Sequence, residues 1–178
     1  MQILAISGSL RLNSTNSKLL RVAASLAPKN VNFKFYDGLA DLPHFSPELD
    51  SDNPPASVTH LRELIQLANG VIICTPEYAF GVPGSLKNAL DWTVSTCAFS
   101  SKPVAAISAS STYMGGEKAH ASLLLTLTAL GANILESGKL NIAAVRTKMN
   151  TDGAVTDPAT LQALKSVVET LAQAIPAH

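Results

Sequence analysis

The run Ile3-Leu-Ala-Ile-Ser-Gly-Ser-Leu-Arg-Leu-Asn-Ser-Thr-Asn16 decides the fold. Four apolar residues, Ile3 to Ile6, give way to a polar turn over residues 7–16, and a helical pattern follows with Leu19, Leu20, Ala23 and Leu26 on one side. That order is strand, turn, helix. A helix N-terminus presents backbone N–H groups with no partner inside the helix, at the positive end of its dipole, and anions dock there. Into this position the chain puts Ser7, Ser9, Ser14, Thr15 and Asn16 as donors and Arg11 as a permanent cation. Charge-assisted hydrogen bonds contribute roughly 1.5–3 kcal/mol each, so a few of them hold a phosphate ester firmly. Ser, Thr and Asn are also ordinary cap and turn residues, so a plain capped helix with Arg11 as a surface charge is the competing reading. Gly8 is the only glycine of the turn, which excludes the dinucleotide fingerprint and the lysine-bearing P-loop. A mononucleotide or another phosphate monoester is the ligand that fits.

Downstream the same order recurs. Val31 to Tyr36 alternates apolar and polar residues, as an edge strand does, and Asp37-Gly38 closes it. Residues 41–57 carry four prolines and four acids and read as a surface loop, of a length that packs near a site or an interface. Ser57 is placed to cap a helix with Leu61, Leu64, Ile65 and Ala68 on its buried stripe, and Asn69-Gly70 stops it. Val71 to Cys74 is a continuous apolar run, expected of a central parallel strand covered on both faces. A second unusual turn, residues 75–84, leads into a helix over 85–92. Val104 to Ile107 is followed by a third turn, residues 108–116, and then by a long apolar helix from about Lys118 to Leu130, ended by Gly131. Ala132 to Leu135 is the fifth strand, Asp152-Gly153 a hairpin-type turn, and Asp157-Pro158 opens a last amphipathic helix.

Five strands alternating with helices predict an α/β fold: a doubly wound parallel sheet in the order 2-1-3-4-5, helices on both faces, one domain over residues 1–178. In such sheets ligands bind at the carboxyl ends of the strands, where the strand order reverses. The three unusual turns follow the first, third and fourth strands, which are neighbours in that order.

Hydrophobic residues make up 47% of the chain and charged residues 15%, a composition that buries a sizeable core. Thirteen basic and thirteen acidic residues cancel, so charge gives no argument for nucleic acid or an anionic membrane as partner. Cys74 and Cys97 are too few for a disulfide framework, and no metal is expected, because neither the cysteines nor His44, His60, His120 and His178 have ligand spacing. The first strand starts almost at Met1 and no apolar run is long enough to span a bilayer, so a cytoplasmic protein is expected.

GSLRLNSTN at 8–16, PEYAFGVPGSLKNALDW at 76–92 and the serine-rich turn closing on Gly115-Gly116 resemble the NADPH-dependent FMN reductases, flavodoxin-like proteins that include quinone, azo-dye and chromate reductases. The resemblance runs over nearly the whole chain. It implies FMN as cofactor, its phosphate on Ser9, Arg11, Ser14, Thr15 and Asn16. Pro76, Glu77, Tyr78, Ala79 and Phe80 would lie against the isoalloxazine ring, largely through backbone groups, with Ser110 and Ser111 approaching from the third turn. It further implies NADPH or NADH as donor, and quinones, flavins, azo compounds or metal oxyanions as acceptors. Hydride transfer would run in a ping-pong scheme that needs no catalytic residue beyond the flavin. Glu77 is expected to make a structural or partner-chain contact. The resemblance also implies a homodimer, tetrameric in some members, pairing the helices that follow the second and third turns. The family often has Asn where this chain has Ala79, and a glycine before the Gly-Gly pair that is absent here. The alternative reading is a flavodoxin-like electron carrier or flavin-binding sensor that does not oxidise nicotinamide itself.

Overall fold

The computed structural model describes residues 1–176; His178 lies outside them. Five strands, β1 (Gln2–Ser7), β2 (Asn32–Tyr36), β3 (Gly70–Thr75), β4 (Pro103–Ala109) and β5 (Asn133–Ile142), form one sheet in the order β2-β1-β3-β4-β5. All four pairings are parallel, as expected. Every residue of β3 is buried, and so are Ile3 to Ile6 of β1 and Val104 to Ala109 of β4, because helices cover both faces of the central strands.

The helices are α1 (Thr15–Ser25), α2 (Ala56–Leu67), α3 (Gly84–Asp91), α4 (Glu117–Ala129) and α5 (Pro158–Ala174). Two apolar cores show which face each takes. Leu19 and Leu20 of α1 cluster with Leu164, Val168 and Leu171 of α5 on one side of the sheet. Val58 and Ile65 of α2, Leu86 and Leu90 of α3, and Leu123 and Leu127 of α4 cluster on the other. The chain leaves β1 for β2 at one edge and returns to β3 on β1's other side, so the order reverses between β1 and β3.

Two expectations are corrected. Ser57 does not cap α2: the helix starts two residues earlier than such a cap implies, at Ala56, its cap position is Pro55, and the Pro55 carbonyl accepts the Val58 and Thr59 N–H groups. The Pro54-Pro55 pair fixes the extended entry that a side-chain cap otherwise secures. The fifth strand does not end at Leu135. It continues to Ile142 after a register shift between Val104 and Ala106, so that Lys139 pairs with Ala106 and Ile142 with Ala109. This longer strand carries its chain to the same end of the sheet as the three turns.

Other elements form where expected. Gly131 takes a positive φ of 73° after α4, Gly153 one of 92° in the hairpin turn, and the Asp157 carboxylate accepts the Thr160 N–H at 2.9 Å to cap α5. The proline-rich loop packs against α3: the Pro43 carbonyl accepts from Asn88 Nδ2 and from Trp92 Nε1, both at 2.9 Å, and Phe45 meets Trp92 edge-on. Asp50 closes the loop with a 2.7 Å ion pair to Arg62. No helix among the described residues is long and apolar enough to cross a membrane.

Candidate active site: a cleft at the carboxyl ends of the strands

The first turn is held by hydroxyls. Ser14 is the cap residue of α1, and its Oγ accepts the Ser17 N–H at 3.0 Å. Ser17 Oγ donates to Ser7 Oγ at 3.1 Å, which leaves Ser14 Oγ to donate to Ser17 Oγ at 2.8 Å. The Ser14 proton is therefore spent within the turn, and the residue fixes where the helix begins. The Ser17 and Lys18 N–H groups bond to Ser14, whereas those of Thr15 and Asn16 have no partner among the described residues. Two unpaired N–H groups at the head of a helix form an anion site. Below them, the buried Cys74 thiol donates to Asn16 Oδ1 at 3.1 Å. Burial pushes that thiol far above its usual pKa, so it keeps its proton, and the Asn16 amide is oriented with Nδ2 as its free end.

The second turn follows β3. Tyr78 and Gly81 exchange both backbone hydrogen bonds at 3.0 Å, and the two residues between them, Ala79 and Phe80, have φ of 48° and 62°. This is the tight hairpin turn that favours Asn and Gly, so Ala79 and Phe80 are strained in it. Glu77 points the other way: its Oε2 accepts the Ala119 N–H at 3.0 Å in the first turn of α4. The carboxylate caps a helix whose own cap residue, Gly116, has no side chain to do so. As expected, its contact is structural.

The third turn is tied to the segment after β5. Ser110 N–H donates to the Ile142 carbonyl at 3.2 Å, while the Val145 and Ala144 N–H groups donate to the carbonyls of Ser110 and Thr112 at 3.0 and 2.9 Å. A short 3₁₀ turn, Val145–Lys148, is thereby docked against Ser110. Gly115 suits its place: its φ is 62°, and a Cβ there would stand 2.8 Å from the Ala143 backbone nitrogen.

These elements enclose one cleft lined by Ser9, Arg11, Ser14, Thr15, Asn16, Pro76, Glu77, Tyr78, Ser110 and Ser111, ten of the twelve expected residues. Ala79 and Phe80 lie beyond its lining, in the tip of the exposed turn. The cleft also contains Val145 and Arg146, which sequence reasoning missed. Neither Arg11 nor Arg146 has a hydrogen-bonded or ion-paired side-chain partner among the described residues, so two free guanidinium groups face a site whose one carboxylate, Glu77, is engaged elsewhere. Tyr78 of the lining is exposed, and the same three turns carry other large apolar side chains open to solvent: Leu12 is 97% exposed, Phe80 76% and Tyr113 95%, with Leu10 and Met114 also exposed. A cationic, donor-rich cleft that also holds Pro76, Tyr78 and Val145 suits a ligand with a phosphate at one end and a flat ring at the other.

Comparisons with known proteins agree. Residues 1–147 match the model of the NADPH-dependent FMN reductases. A quinone reductase of Escherichia coli (strain K12) is 32% identical over 168 residues, 92% of this chain and 89% of its own. An NAD(P)H-dependent FMN reductase of Pseudomonas aeruginosa is 30% identical, over 96% of this chain and 93% of its own. Among solved structures, FerB, a flavoenzyme NAD(P)H:(acceptor) oxidoreductase from Paracoccus denitrificans, superposes with a TM-score of 0.87 at 32% identity, covering 98% of this chain and 96% of its own. With its parallel sheet in the order β2-β1-β3-β4-β5 and these matches over almost its full length, the chain belongs to the NADPH-dependent FMN reductase family.

Proposed function

We propose that this FMN-dependent NAD(P)H oxidoreductase reduces quinones and related flat acceptors, with FMN held in the cleft between the turns. The observation that carries the reading is the grouping, in one cleft at one end of the sheet, of unpartnered anion donors with Pro76 and Tyr78 of the second turn. The donor set fits a phosphate dianion: the free Thr15 and Asn16 N–H groups, the Ser9 and Thr15 hydroxyls, Asn16 Nδ2, and the Arg11 and Arg146 guanidinium groups. Ser14 holds the helix start on which these donors depend. Pro76 to Tyr78 and the Ser110-Ser111 backbone form the seat for the ring, with Ala79 and Phe80 beyond it at the tip of the turn.

When bound, FMN supplies the hydride acceptor and electron store that no side chain provides. The chain's own work is to position and to exclude water. Tyr78 and Phe80 on one turn and Tyr113 and Met114 on another shield the stacked reactants, and proximity in such a stack supplies most of the rate. Glu77 is engaged with α4, and no histidine among the described residues lines the cleft. The exposed Tyr78 ring in the cleft favours aromatic acceptors such as quinones over small oxyanions, since its surface is gained by apolar contact. One domain carries all of this.

A second copy of the chain completes the picture. Val94 and Leu125 are exposed beside Leu90, Ala129 and Leu130 in a hollow between α3 and α4, with Lys87 and Asp91 on its margin. An apolar hollow of this kind marks an interface, so the working form is at least a homodimer across these helices. Free thiols at Cys74 and Cys97 suit the reducing cytoplasm. Steady-state oxidation of NADPH with benzoquinone as co-substrate tests the function. Parallel double-reciprocal lines are expected, whereas no quinone-dependent oxidation would leave the carrier reading in its place.

A further inference from the structure

The first turn is clamped from β3 by one residue. Cys74 stands opposite Ser7 in the pairing of β1 with β3, and its backbone carbonyl accepts the Gly8 N–H at 2.8 Å. At the far end of the turn its thiol donates to Asn16 Oδ1 at 3.1 Å. One residue therefore holds both ends of the segment 8–16, by its main chain and by its side chain. Any residue supplies the carbonyl, but the thiol is particular to cysteine. Cys74 is buried in the apolar core that α1 shares with the sheet, where a cysteine usually does no more than fill space. An Ala or Val there would fill the same core and leave Asn16 Oδ1 without a donor. Asn16 is itself only 4% exposed, so the few groups that it meets decide which way its amide points. An amide is an acceptor at one end and a donor at the other. With Oδ1 turned to the thiol, Nδ2 is left without a partner among the described residues. The buried side-chain nitrogens and oxygens that lack a partner there are those of Tyr36, Ser108 and His120, so Asn16 Nδ2 is not among them and reaches the open side of its residue. That side is the cleft, which Asn16 lines. A reversed amide would put a carbonyl oxygen there, against the charge of a phosphate.

We propose that Cys74 is a positioning residue for the cofactor phosphate: its thiol holds Asn16 with Nδ2 toward the cleft and so favours FMN over riboflavin. This role rests on the reading of the cleft as an FMN site and adds to it a residue that lies outside the cleft lining. It requires a thiol, since a thiolate would accept from Nδ2 and turn the amide round. Burial meets that requirement by pushing Cys74 far above its usual pKa, so the orientation persists through neutral and mildly alkaline pH.

A cysteine that merely fills the core would affect both flavins alike. Apo-protein of wild type, Cys74→Ala, Cys74→Ser, Asn16→Ala and the double variant Cys74→Ala with Asn16→Ala would be titrated with FMN and with riboflavin by fluorescence quenching. Cys74→Val, which fills the space without a donor, stands beside Cys74→Ala in case the smaller side chain unsettles β3. Either donorless variant should raise the Kd for FMN about fivefold, the loss of one ordinary hydrogen bond, and leave that for riboflavin within about twofold. Cys74→Ser keeps a donor and should stay close to wild type with both flavins. In the Asn16→Ala background, removing the thiol should cost no further FMN affinity, because the amide through which it acts is gone. Equal losses for the two flavins, a Ser variant as weak as the donorless ones, or losses that add in the double variant would overturn the proposal. A wild type that binds FMN no more tightly than riboflavin would overturn it as well, by removing the phosphate site itself, so failure of the cofactor reading is distinguished from failure of the role given to Cys74.

Discussion

Removing Arg11 should weaken FMN and leave riboflavin untouched. Arg11 is exposed and lines the cleft beside the free Thr15 and Asn16 N–H groups, with no competing partner among the described residues. A hydrogen bond to a charged group contributes about 1.5–3 kcal/mol, and solvent screening of an exposed arginine places this one at the lower end, about 1.5 kcal/mol. Since 1.4 kcal/mol is tenfold in affinity, Arg11→Ala should raise the Kd for FMN roughly tenfold. Arg146 reaches the same cleft from the segment after β5, so Arg146→Ala should do the same, and the double variant should lose about a hundredfold if the two contacts are independent. The helix N–H groups remain in every variant, so binding is weakened but not abolished. Fluorescence quenching on titrating the apo-protein gives both constants, and riboflavin, which lacks the phosphate, isolates the anion site. Equal losses for FMN and riboflavin would mean that the substitutions disturb the ring seat or the fold, and no loss of FMN affinity would mean that the phosphate lies elsewhere.

Three other outcomes are expected. Ala79→Asn should stabilise the protein by about 1 kcal/mol, because Asn tolerates the left-handed backbone that strains Ala, and a thermal melt should move up by about 2–4 °C for a chain of this size. Glu77→Gln keeps an acceptor for the Ala119 N–H but loses the charge at the head of α4, so it should cost about 0.3–1 kcal/mol; the pH profile of NADPH oxidation should keep its shape, and loss of an acid-side limb would instead make Glu77 a proton carrier. The Arg62 hydrogen bond holds the Asp50 carboxyl below its usual range, so this pair's stabilisation is present above the ordinary carboxylate pKa and is lost as the pH falls through the depressed one. Melting temperatures of wild type and Asp50→Asn should accordingly differ at neutral pH and converge in acid; a constant gap would show that the loop is held by Phe45 and Trp92 alone.

What the chain reveals before folding follows from how local each signal is. β1, β3 and β4 are legible because apolar runs of four residues or more can be shielded only at the centre of a sheet. The three turns announce themselves by their chemistry. The tail of β5 does not: Glu136, Ser137, Lys139 and Asn141 are polar residues on an edge strand, and their pairing depends on a register shift against β4 that no local pattern encodes. Missing that tail hid the fourth segment of the cleft, and Arg146 with it, although a fifth parallel strand must also end at the carboxyl side. Ser14 lines the cleft and its hydroxyl also joins the Ser7–Ser17 chain, a contact that becomes visible only once α1 is docked. Cys74 reads as core filler until α1 brings Asn16 beside it.

The most direct test of the account is an anaerobic titration of the FMN-loaded protein with NADPH, followed in the flavin's visible band with no partner protein present. The account predicts that the band bleaches within a few turnovers and returns when a quinone is added. A bound flavin that stays oxidised under excess NADPH and NADH would contradict it.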